Sequence, residues 1–154
     1  MDETNSQIDS FLVDMVHTKE DVSILKNEID LLLSSLYKKD DLDKVLNEQV
    51  RGSTASFFPK EIATMDRPQI ESQLKLLQKR IFNLEEFSLT LAHEPTHAFL
   101  TELTGIIRGV LGNLIVLDIT VNPRIVGGAV VSYRGKFLDY SLKHKLKLML
   151  TTQK

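Results

Sequence analysis

The fold of this chain is decided by one stretch near its C-terminus, VNPRIVGGAVVSYRGKFLDYSL, residues Val121–Leu142. Pro123 fixes its own φ and lacks an amide hydrogen, so the strand before it must end there. Gly127 and Gly128 accept backbone angles that other residues avoid, which lets the chain reverse and re-enter a sheet beside the strand at 114–121. The stretch therefore predicts a strand end, a turn and a return into the sheet.

The second half of this stretch predicts a hairpin and a capped helix. The hairpin turns at Arg134-Gly135, where Gly135 suits a tight turn. Ser141 is placed as the N-cap of a helix that begins at about Leu142, and Asp139 is expected to hydrogen-bond either the hairpin or the same helix start. The hairpin strands are predicted at 129–133 and 136–139. A role in a turn or a cap accounts for each of these residues.

The residues before this stretch predict a strand, a helix and a second strand. Apolar and polar residues alternate over 87–91, as they do in a half-buried strand. A helix is predicted between Pro95, which opens it, and Gly112, which ends it. Its apolar face consists of Phe99, Leu100, Leu103, Ile106, Ile107 and Val110. The uninterrupted apolar run 114–117 predicts a central strand covered on both faces, and the crossover should make the two strands parallel and right-handed.

Two apolar stripes predict a helical unit before residue 85. The first stripe repeats at spacings of three and four and consists of Ile8, Phe11, Met15, Val22, Leu25, Ile29, Leu32 and Leu36. Thr18 fills its one gap and could cap a new helix, so one long helix and two shorter ones are both open. The second stripe follows a helix start at Asp66 with Pro68 in the first turn, and consists of Ile70, Leu74, Leu77, Ile81 and Leu84. The stripes most simply form an antiparallel pair, with self-association through either stripe as the competing option.

The residues between the stripes predict a short helix and a linker. The short helix follows Asp40-Asp41, and the small polar residues 51–56 are typical of a linker. Residues 57–59, Phe-Phe-Pro, are expected to pack back onto a helix. The whole pattern predicts an α+β chain, in which a helical unit of about three helices over residues 1–84 precedes a small βαββα unit with a mixed sheet over residues 85–154.

Charge is distributed unevenly along the chain, whose formal net charge is −2. Residues 103–154 carry eight Lys and Arg against two acidic residues, whereas residues 1–102 carry eleven basic and nineteen acidic residues. Each part could therefore attract the other or a partner of opposite charge. The chain has no cysteine, no apolar run long enough to span a bilayer and a polar N-terminus unlike a signal peptide, which fits a cytosolic protein.

No motif supports catalysis or a bound metal or cofactor. His93 and His97 have the spacing of a zinc-binding pair, but Pro95 lies between them and is incompatible with the continuous helix that such a pair requires. The Gly127-Gly128 pair precedes a strand instead of a helix N-terminus, so no nucleotide is implied. A small α/β enzyme or a nucleic-acid binder that uses the basic hairpin stays a minor alternative, because aromatic residues are only 6% of the chain.

The stretch Val121–Leu142 resembles the C-terminal signature of the δ subunit of F-type ATP synthase, the oligomycin-sensitivity-conferring protein family. The family order is a D/N-P-x-hydrophobic-hydrophobic-G-G segment, a short strand, a Gly turn, then D-x-S and a final helix. The matching residues here are Asn122-Pro123, Gly127-Gly128 and Asp139-Tyr140-Ser141. A looser resemblance extends back to about Phe87.

This resemblance implies a non-catalytic connector of the peripheral stalk, without a cofactor of its own. In the family, the N-terminal helical bundle binds the N-terminal segments of the α subunits of the catalytic head. The C-terminal part binds the ends of the stalk helices of subunit b, and the subunit holds the head still against rotor torque. The expected place is the cytoplasmic face of the cell membrane, reached only through the complex. The partner-binding candidates are Phe99, Leu103, Ile107, Leu142, Leu146 and Met149.

The N-terminal unit departs from the family pattern. The usual bundle has six helices and opens with an Arg-Tyr-Ala type helix, whereas about three helices fit before Phe87 here. Fewer features of the family pattern therefore support a contact with the α subunits than support a contact with subunit b. Two alternatives stay open: a protein like the E-type peripheral-stalk protein of V- and A-type ATPases, and an unrelated homo-oligomeric coiled-coil adaptor joined through the stripe from Ile8 to Leu36.

Overall fold

The structure is a computed structural model that describes residues 2–37, 42–58 and 66–151. Its chain divides into two units, Met1–Val16 with Glu20–Leu84 and His17–Lys19 with Glu85–Lys154. The predicted α+β class is confirmed, with helices in the first unit and a mixed sheet in the second. In the described part of the chain, no helix is both long enough and apolar enough to cross a membrane.

The described residues of the first unit form five helices, two more than the sequence pattern suggested. They are α1 Asp2–Met15, α2 Lys19–Tyr37, α3 Leu42–Glu48, α4 Gly52–Phe57 and α5 Arg67–Phe82. The stripe from Ile8 to Leu36 is divided between α1 and α2, so the option of two shorter helices is the observed one. The short helix predicted after Asp40-Asp41 is α3, although these two residues lie outside the described ones.

Most members of the two apolar stripes are buried within the chain, although Met15 is 39% exposed. Leu25, Ile29, Leu74 and Leu77 are all at most 1% exposed. Helices α2 and α5 run antiparallel, because Tyr37 at the end of α2 hydrogen-bonds Glu71 near the start of α5, and Gln78 Nε2 donates to Asp30 Oδ1 at 2.8 Å further along. The antiparallel pairing is therefore confirmed, and burial of these stripes does not require self-association.

The prediction of a linker at 51–56 is wrong, because Gly52–Phe57 form α4. The cause is the Glu28 carboxylate of α2, which is 7% exposed and lies at the start of α4. Glu28 Oε1 accepts from the Arg51 amide at 2.8 Å and from Arg51 Nε at 3.0 Å, while Thr54 Oγ1 donates to Glu28 Oε2 at 2.6 Å. A carboxylate at a helix start satisfies amide hydrogens that lack a partner and stabilises the helix electrostatically.

Aromatic side chains pack beside this short helix, as expected. The rings of Phe57 and Phe11 lie 4.5 Å apart between centroids, and Phe58 is 5% exposed. Pro59, the third residue of that predicted contact, lies outside the described residues. These contacts connect the end of α4 with α1.

The second unit has the predicted βαββα order. Its elements are β1 Glu85–Leu91, α6 His97–Leu111, β2 Ile115–Val121, β3 Ala129–Tyr133, β4 Lys136–Asp139 and α7 Leu142–Thr151. The strand order is β2-β1-β3-β4, with β1 parallel to β2 and antiparallel to β3, and with β3 antiparallel to β4. The mixed sheet and the parallel crossover are confirmed.

The position predicted for β2 is wrong, because β2 is the first strand in the sheet order instead of a central one. The returning strand β3 therefore pairs with β1, where Leu89 faces Val131, and does not lie beside β2. The apolar run of β2 is nevertheless buried, with Leu117 0% exposed. Its outer side is covered by His17 and Thr18, since the Leu117 amide donates to His17 O at 2.9 Å and Thr18 forms a parallel bridge with Leu117.

Glu28 should make the stability of the helical unit depend on pH. Burial acts to raise the pKa of Glu28, but hydrogen bonds from Arg51 and Thr54 outweigh it and hold the pKa below its ordinary value. A carboxyl group whose pKa is lower in the folded protein stabilises the fold above its unfolded-state pKa. This contribution is lost as the pH falls through the folded-state pKa.

We expect Glu28→Gln to lower the free energy of unfolding by about 2 kcal/mol at neutral pH, because hydrogen bonds to a buried charged group are lost. The difference from wild type should shrink as the pH is lowered. Urea unfolding followed by circular dichroism over a pH series measures both effects. Glu48→Gln, at an exposed position of α3, is the control and should change stability by less than about 0.5 kcal/mol. A constant difference across the pH series would contradict this role of Glu28.

Candidate partner-binding site

The turn after β2 is a short 3₁₀ helix over Pro123–Ile125. Asn122 Oδ1 accepts a hydrogen bond from the Arg124 amide at 3.1 Å, and Ile125 is 8% exposed. Val126 then has a φ of 72°, which is uncommon for a β-branched residue. Pro123 thus follows the end of the strand, where its missing amide hydrogen is not needed. The chain then turns over residues 123–126 toward the glycine pair.

The glycine pair brings the backbone of this turn against the start of α7. Gly128 has a φ of +76°, and a Cβ there would collide with the carbonyl oxygen of Tyr140. Gly127 O accepts from the Leu142 amide at 2.8 Å, whereas a Cβ at Gly127 would have ordinary contact, 3.8 Å, with Leu142 Cβ. Gly128 is therefore required by conformation and space together, and Gly127 is not.

The hairpin between β3 and β4 has two residues with positive φ, Arg134 at 47° and Gly135 at 75°, as a tight two-residue turn requires. Arg134 Nη2 donates to Glu85 Oε1 at 2.6 Å, and Tyr133 Oη donates to Glu85 Oε2 at 2.7 Å. These bonds, first that of Arg134 and then that of Tyr133, hold the pKa of Glu85 below its ordinary value. Arg134 is thus engaged by an acid of the same unit, which weakens the case for the hairpin as a phosphate-binding surface.

Asp139 and Ser141 lie together at the start of α7. Asp139 Oδ1 accepts from the Ser141 amide at 2.9 Å, and Ser141 Oγ accepts from the His144 amide at 3.1 Å. The hydrogen bonds from Ser141, with smaller effects of His144 and Lys143, lower the pKa of Asp139. Ser141 is 2% exposed, so this N-cap is built into the unit and fixes where α7 begins.

Helix α6 buries two polar side chains, Thr104 and Arg108, and exposes several large apolar ones. Its N-cap is Thr96, whose Oγ1 accepts from the Phe99 amide at 3.3 Å, so the helix begins two residues after Pro95. Thr104 is 0% exposed and donates to Leu100 O at 2.6 Å. Arg108 is 6% exposed, and its Nε donates to Ile115 O at 2.9 Å. Because these buried polar groups have partners, α6 can lie against β2 by this side.

The apolar side of α6 is correspondingly accessible. Its most exposed members are Phe99 at 45%, Ile106 at 60% and Val110 at 78%, while Leu103 and Ile107 are half-buried. Phe99, Leu103, Ile106 and Val110 follow spacings of four, three and four, which places them on one stripe of the helix. We call this set the α6 stripe. Large apolar side chains in one exposed stripe mark a surface for another protein element.

Helix α7 is accessible over its whole described length. Every side chain from Leu142 to Leu150 is exposed, with Leu142 at 44%, Leu146 at 46% and Met149 at 66%. These three residues share one side of the helix at spacings of four and three. All six partner-binding candidates from the sequence are therefore half-buried or exposed on two helices of the second unit.

A pocket of about 380 Å³ lies at the N-terminal end of α6. Its wall includes Leu91, Ala92, Pro95 and Phe99 together with Gly127-Gly128. The two glycines contribute backbone atoms to this wall. The pocket thus continues the α6 stripe at its first residue.

The histidine pair near this pocket shows no metal-binding geometry. In the part of the chain that the structure describes, no group of three or more His, Cys, Asp or Glu side chains is arranged to hold a metal ion. The ring of His97 lies edge-on to the ring of His17, with 6.0 Å between centroids. His97 starts α6 while His93 precedes it, so the two do not share a helix face.

Comparison with known proteins gives the family. A family model described as ATP synthase delta (OSCP) subunit matches residues 3–152. The chain belongs to the ATP synthase delta (OSCP) subunit family. Its relatives include ATP synthase subunit delta of Sinorhizobium medicae, 30% identical over 127 residues that cover 77% of this chain and 68% of the relative. The subunit delta of Rhizobium meliloti is 29% identical over the same shares, and that of Mesorhizobium japonicum is 41% identical over 58 residues, 38% of this chain and 31% of the relative.

Family membership confirms the resemblance carried by the turn and places this delta-family chain among the subunits of F-type ATP synthase. The family model extends over both units, although the sequence pattern was tight only from Val121 to Leu142. Sequence reasoning missed the inward Thr104 and Arg108, and with them the reason why Ile106 and Val110 face outward. The spacing of four between Thr104 and Arg108 places them on one side of the helix, but it does not indicate which side faces the sheet.

We expect Gly128→Ala to lower the free energy of unfolding by about 3 kcal/mol, because the new Cβ meets the Tyr140 carbonyl oxygen in a conformation that alanine disfavours. Gly127→Ala is the matched control and should cost less than about 1 kcal/mol. Thermal unfolding of the two variants by calorimetry compares them directly. Equal melting temperatures for both variants would show that Gly128 does not approach Tyr140 in solution.

Proposed function

We propose that this delta-family chain is a non-catalytic connector of the peripheral stalk, joining the catalytic head of an F-type ATP synthase to the stalk helices of subunit b and resisting rotor torque. The observation that carries the proposal is the exposure of large apolar side chains on α6 and α7, which are held in a unit with its own sheet. An exposed helix stripe with anchors at spacings of three and four is suited to pack against another helix.

The buried contacts of α6 support this assignment. Arg108 joins α6 to β2 through its hydrogen bond to the Ile115 carbonyl, and Thr104 is buried on the same side, so the α6 stripe is presented by a helix attached to the sheet. A connector under torque needs preformed contacts, because a partner surface that must first order itself loses binding free energy to that ordering. Leu142, Leu146 and Met149 supply a second apolar side in the same unit.

The helical unit offers a candidate site for the head. A pocket of about 500 Å³ is lined by Gln7, Ser10, Phe11, Ser56, Phe57 and Gln73, among others. The paired rings of Phe11 and Phe57 form apolar lining, and the amide and hydroxyl groups supply hydrogen-bonding partners. Such a groove suits a short amphipathic segment, and we assign it to the N-terminal segment of an α subunit. Attachment to the cytoplasmic face of the membrane would then be through the complex.

The stalk contact is tested with the C-terminal stalk segment of subunit b from the same organism. Ile106→Glu should weaken binding of this segment at least about tenfold, because a charge replaces an exposed apolar anchor. Thr101→Glu adds the same charge to another exposed side of α6 and should leave affinity within about twofold. Native mass spectrometry shows whether the complex forms, and titration calorimetry gives the affinities. Failure of the wild-type chain to bind the segment would overturn the connector role.

The head contact is tested separately with a synthetic peptide of the α-subunit N-terminal segment. Ser10→Arg places a long charged side chain in the pocket and should lower affinity for the peptide at least about tenfold. Ser34→Arg makes the same change at an exposed position of α2 outside the pocket and serves as the control. Fluorescence anisotropy of the labelled peptide measures both. Equal affinities for the two variants would remove the pocket as the head-binding site.

A further inference from the structure

The outer edge of β2 is defined by the direction of its backbone groups. The Glu85 amide donates to Leu114 O at 2.7 Å. The Asn122 amide donates to Leu91 O, also at 2.7 Å. Even-numbered residues of this segment thus turn their backbone groups toward β1, and odd-numbered residues turn theirs away from the sheet. The outward residues of β2 are Ile115, Leu117, Ile119 and Val121.

Two groups of the same unit occupy the first half of this edge. Arg108 Nε donates to Ile115 O at 2.9 Å, and the Leu117 amide donates to His17 O at 2.9 Å. Although His17–Lys19 lie between α1 and α2 in sequence, they belong to the second unit. We call His17–Lys19 the edge strap.

The edge strap is held by a few contacts that are open to solvent. Thr18 forms a parallel bridge with Leu117. Lys19 Nζ lies 3.0 Å from Glu86 Oε2 and 3.7 Å from Asp118 Oδ2. The hydrogen bond to Glu86, and then the charge of Asp118, raise the pKa of Lys19 above its ordinary value. Because the Lys19 and Glu86 side chains are each 50% exposed, water and salt weaken this attraction, and the strap can be released without loss of the buried core.

We propose that the edge strap is an autoinhibitory contact, which covers the outer edge of β2 and thereby prevents this edge from pairing with the same edge of a second copy of the chain. An uncovered strand edge is a template for pairing with another chain, and proteins therefore cover or charge such edges. The sequence of β2, IVLDITV, is rich in the β-branched residues that favour strands. The connector role does not use this edge, so the inference is independent of that role.

The released edge is self-complementary. In an antiparallel pair related by a two-fold axis, a pairing centred on Ile119 places Leu117 opposite Val121 of the second copy, so the outward groups of these residues exchange hydrogen bonds. The same pairing places Asp118 opposite Thr120 of the second copy. A pairing centred on Asp118 brings two carboxylates face to face, which is unfavourable. The expected register is therefore the one centred on Ile119.

The test releases the edge strap in the full-length chain. Lys19→Glu places a carboxylate beside Glu86 and Asp118 and replaces attraction by repulsion. Lys19 is the first residue of α2, where an acidic side chain is favourable near the helix N-terminus, so the variant should keep this helix. Lys26→Glu makes the same change at an exposed position of α2 and is the control.

Hydrogen exchange followed by NMR at low protein concentration shows whether the strap is released. The Leu117 amide should exchange at least about tenfold faster in Lys19→Glu than in wild type, because its acceptor on His17 is withdrawn. The Leu89 amide, in the internal strand β1, should exchange at the same rate in both, which shows that the sheet is intact. Lys26→Glu should match wild type at both amides.

Sedimentation velocity over a concentration series measures self-association. Lys19→Glu should have a dissociation constant for self-association at least about tenfold lower than that of wild type and of Lys26→Glu. Adding Ile119→Pro to Lys19→Glu should restore the wild-type value, because proline removes an outward amide that the pairing with β1 does not use. Val121→Pro makes the same change at the exposed end of β2 and replaces Ile119→Pro if that variant alters the exchange of Leu89.

Three results would overturn the proposal. Equal exchange of the Leu117 amide in wild type and Lys19→Glu would show that Lys19 does not hold the strap. Faster exchange without stronger self-association would show that the strap does not prevent pairing. Stronger self-association that persists after both proline substitutions would show that the copies meet elsewhere than at β2.

Discussion

The second unit depends on the close approach of two backbone segments, Gly128 and Tyr140. Because no Cβ stands at position 128, β3 can begin directly against the end of β4, where the Tyr140 amide donates to Ala129 O at 2.9 Å. The same approach places Gly127 O within 2.8 Å of the Leu142 amide, so the turn after β2 also accepts a hydrogen bond from the first residue of α7. The absence of a Cβ at Gly128 therefore permits both the pairing at the end of the hairpin and the contact of the turn with the first residue of α7.

Apolar side chains of α6 are exposed because the helix packs on the sheet through the side that carries Thr104 and Arg108. Thr104 Oγ1 donates a hydrogen bond to Leu100 O within its own helix, and Arg108 Nε donates one to Ile115 O of β2. Burying such groups is expensive when they lack partners, and the hydrogen bonds of Thr104 and Arg108 offset part of that cost. The core of the unit is supplied by β1 and β2 instead, with Leu89 at 5% and Leu117 at 0% exposure. The exposed side chains of α6 are therefore not needed for the core of the unit and are accessible to a partner.

Local chemistry made much of the second unit predictable from sequence, whereas contacts between distant residues were not. The hairpin and the Ser141 cap each depend on residues within a few positions of one another, whereas the candidate residues on α6 and α7 were those that the family resemblance implied. Which side of α6 faces the sheet was not predictable, because Arg108 finds its partner only after β2 has folded back. Residues 51–56 have the composition of a linker, and they become helical because Glu28 supplies a carboxylate at their start. A sequence pattern predicts that a segment is buried more reliably than it predicts which residues cover it. Strand β2 is an example, because its burial was predicted but its contact with His17 was not.

In the second unit, the residues that make folding contacts are different from the exposed apolar residues, and this bears on the proposed connector role. Residues that hold the second unit together, such as Leu117 and Ser141, are inaccessible, whereas Ile106 and Val110 of the α6 stripe are mostly exposed. Substitutions on the α6 stripe can thus alter affinity for a partner while the sheet stays intact. The side chains of this stripe are already positioned by folding, which lowers the entropic cost of binding. The start of α7 is joined to the rest of the unit by two hydrogen bonds, from the Leu142 amide to Gly127 O and from the Ser141 amide to Asp139 Oδ1 at the end of β4. In the proposed connector role, these bonds would link a partner held on α7 to the sheet.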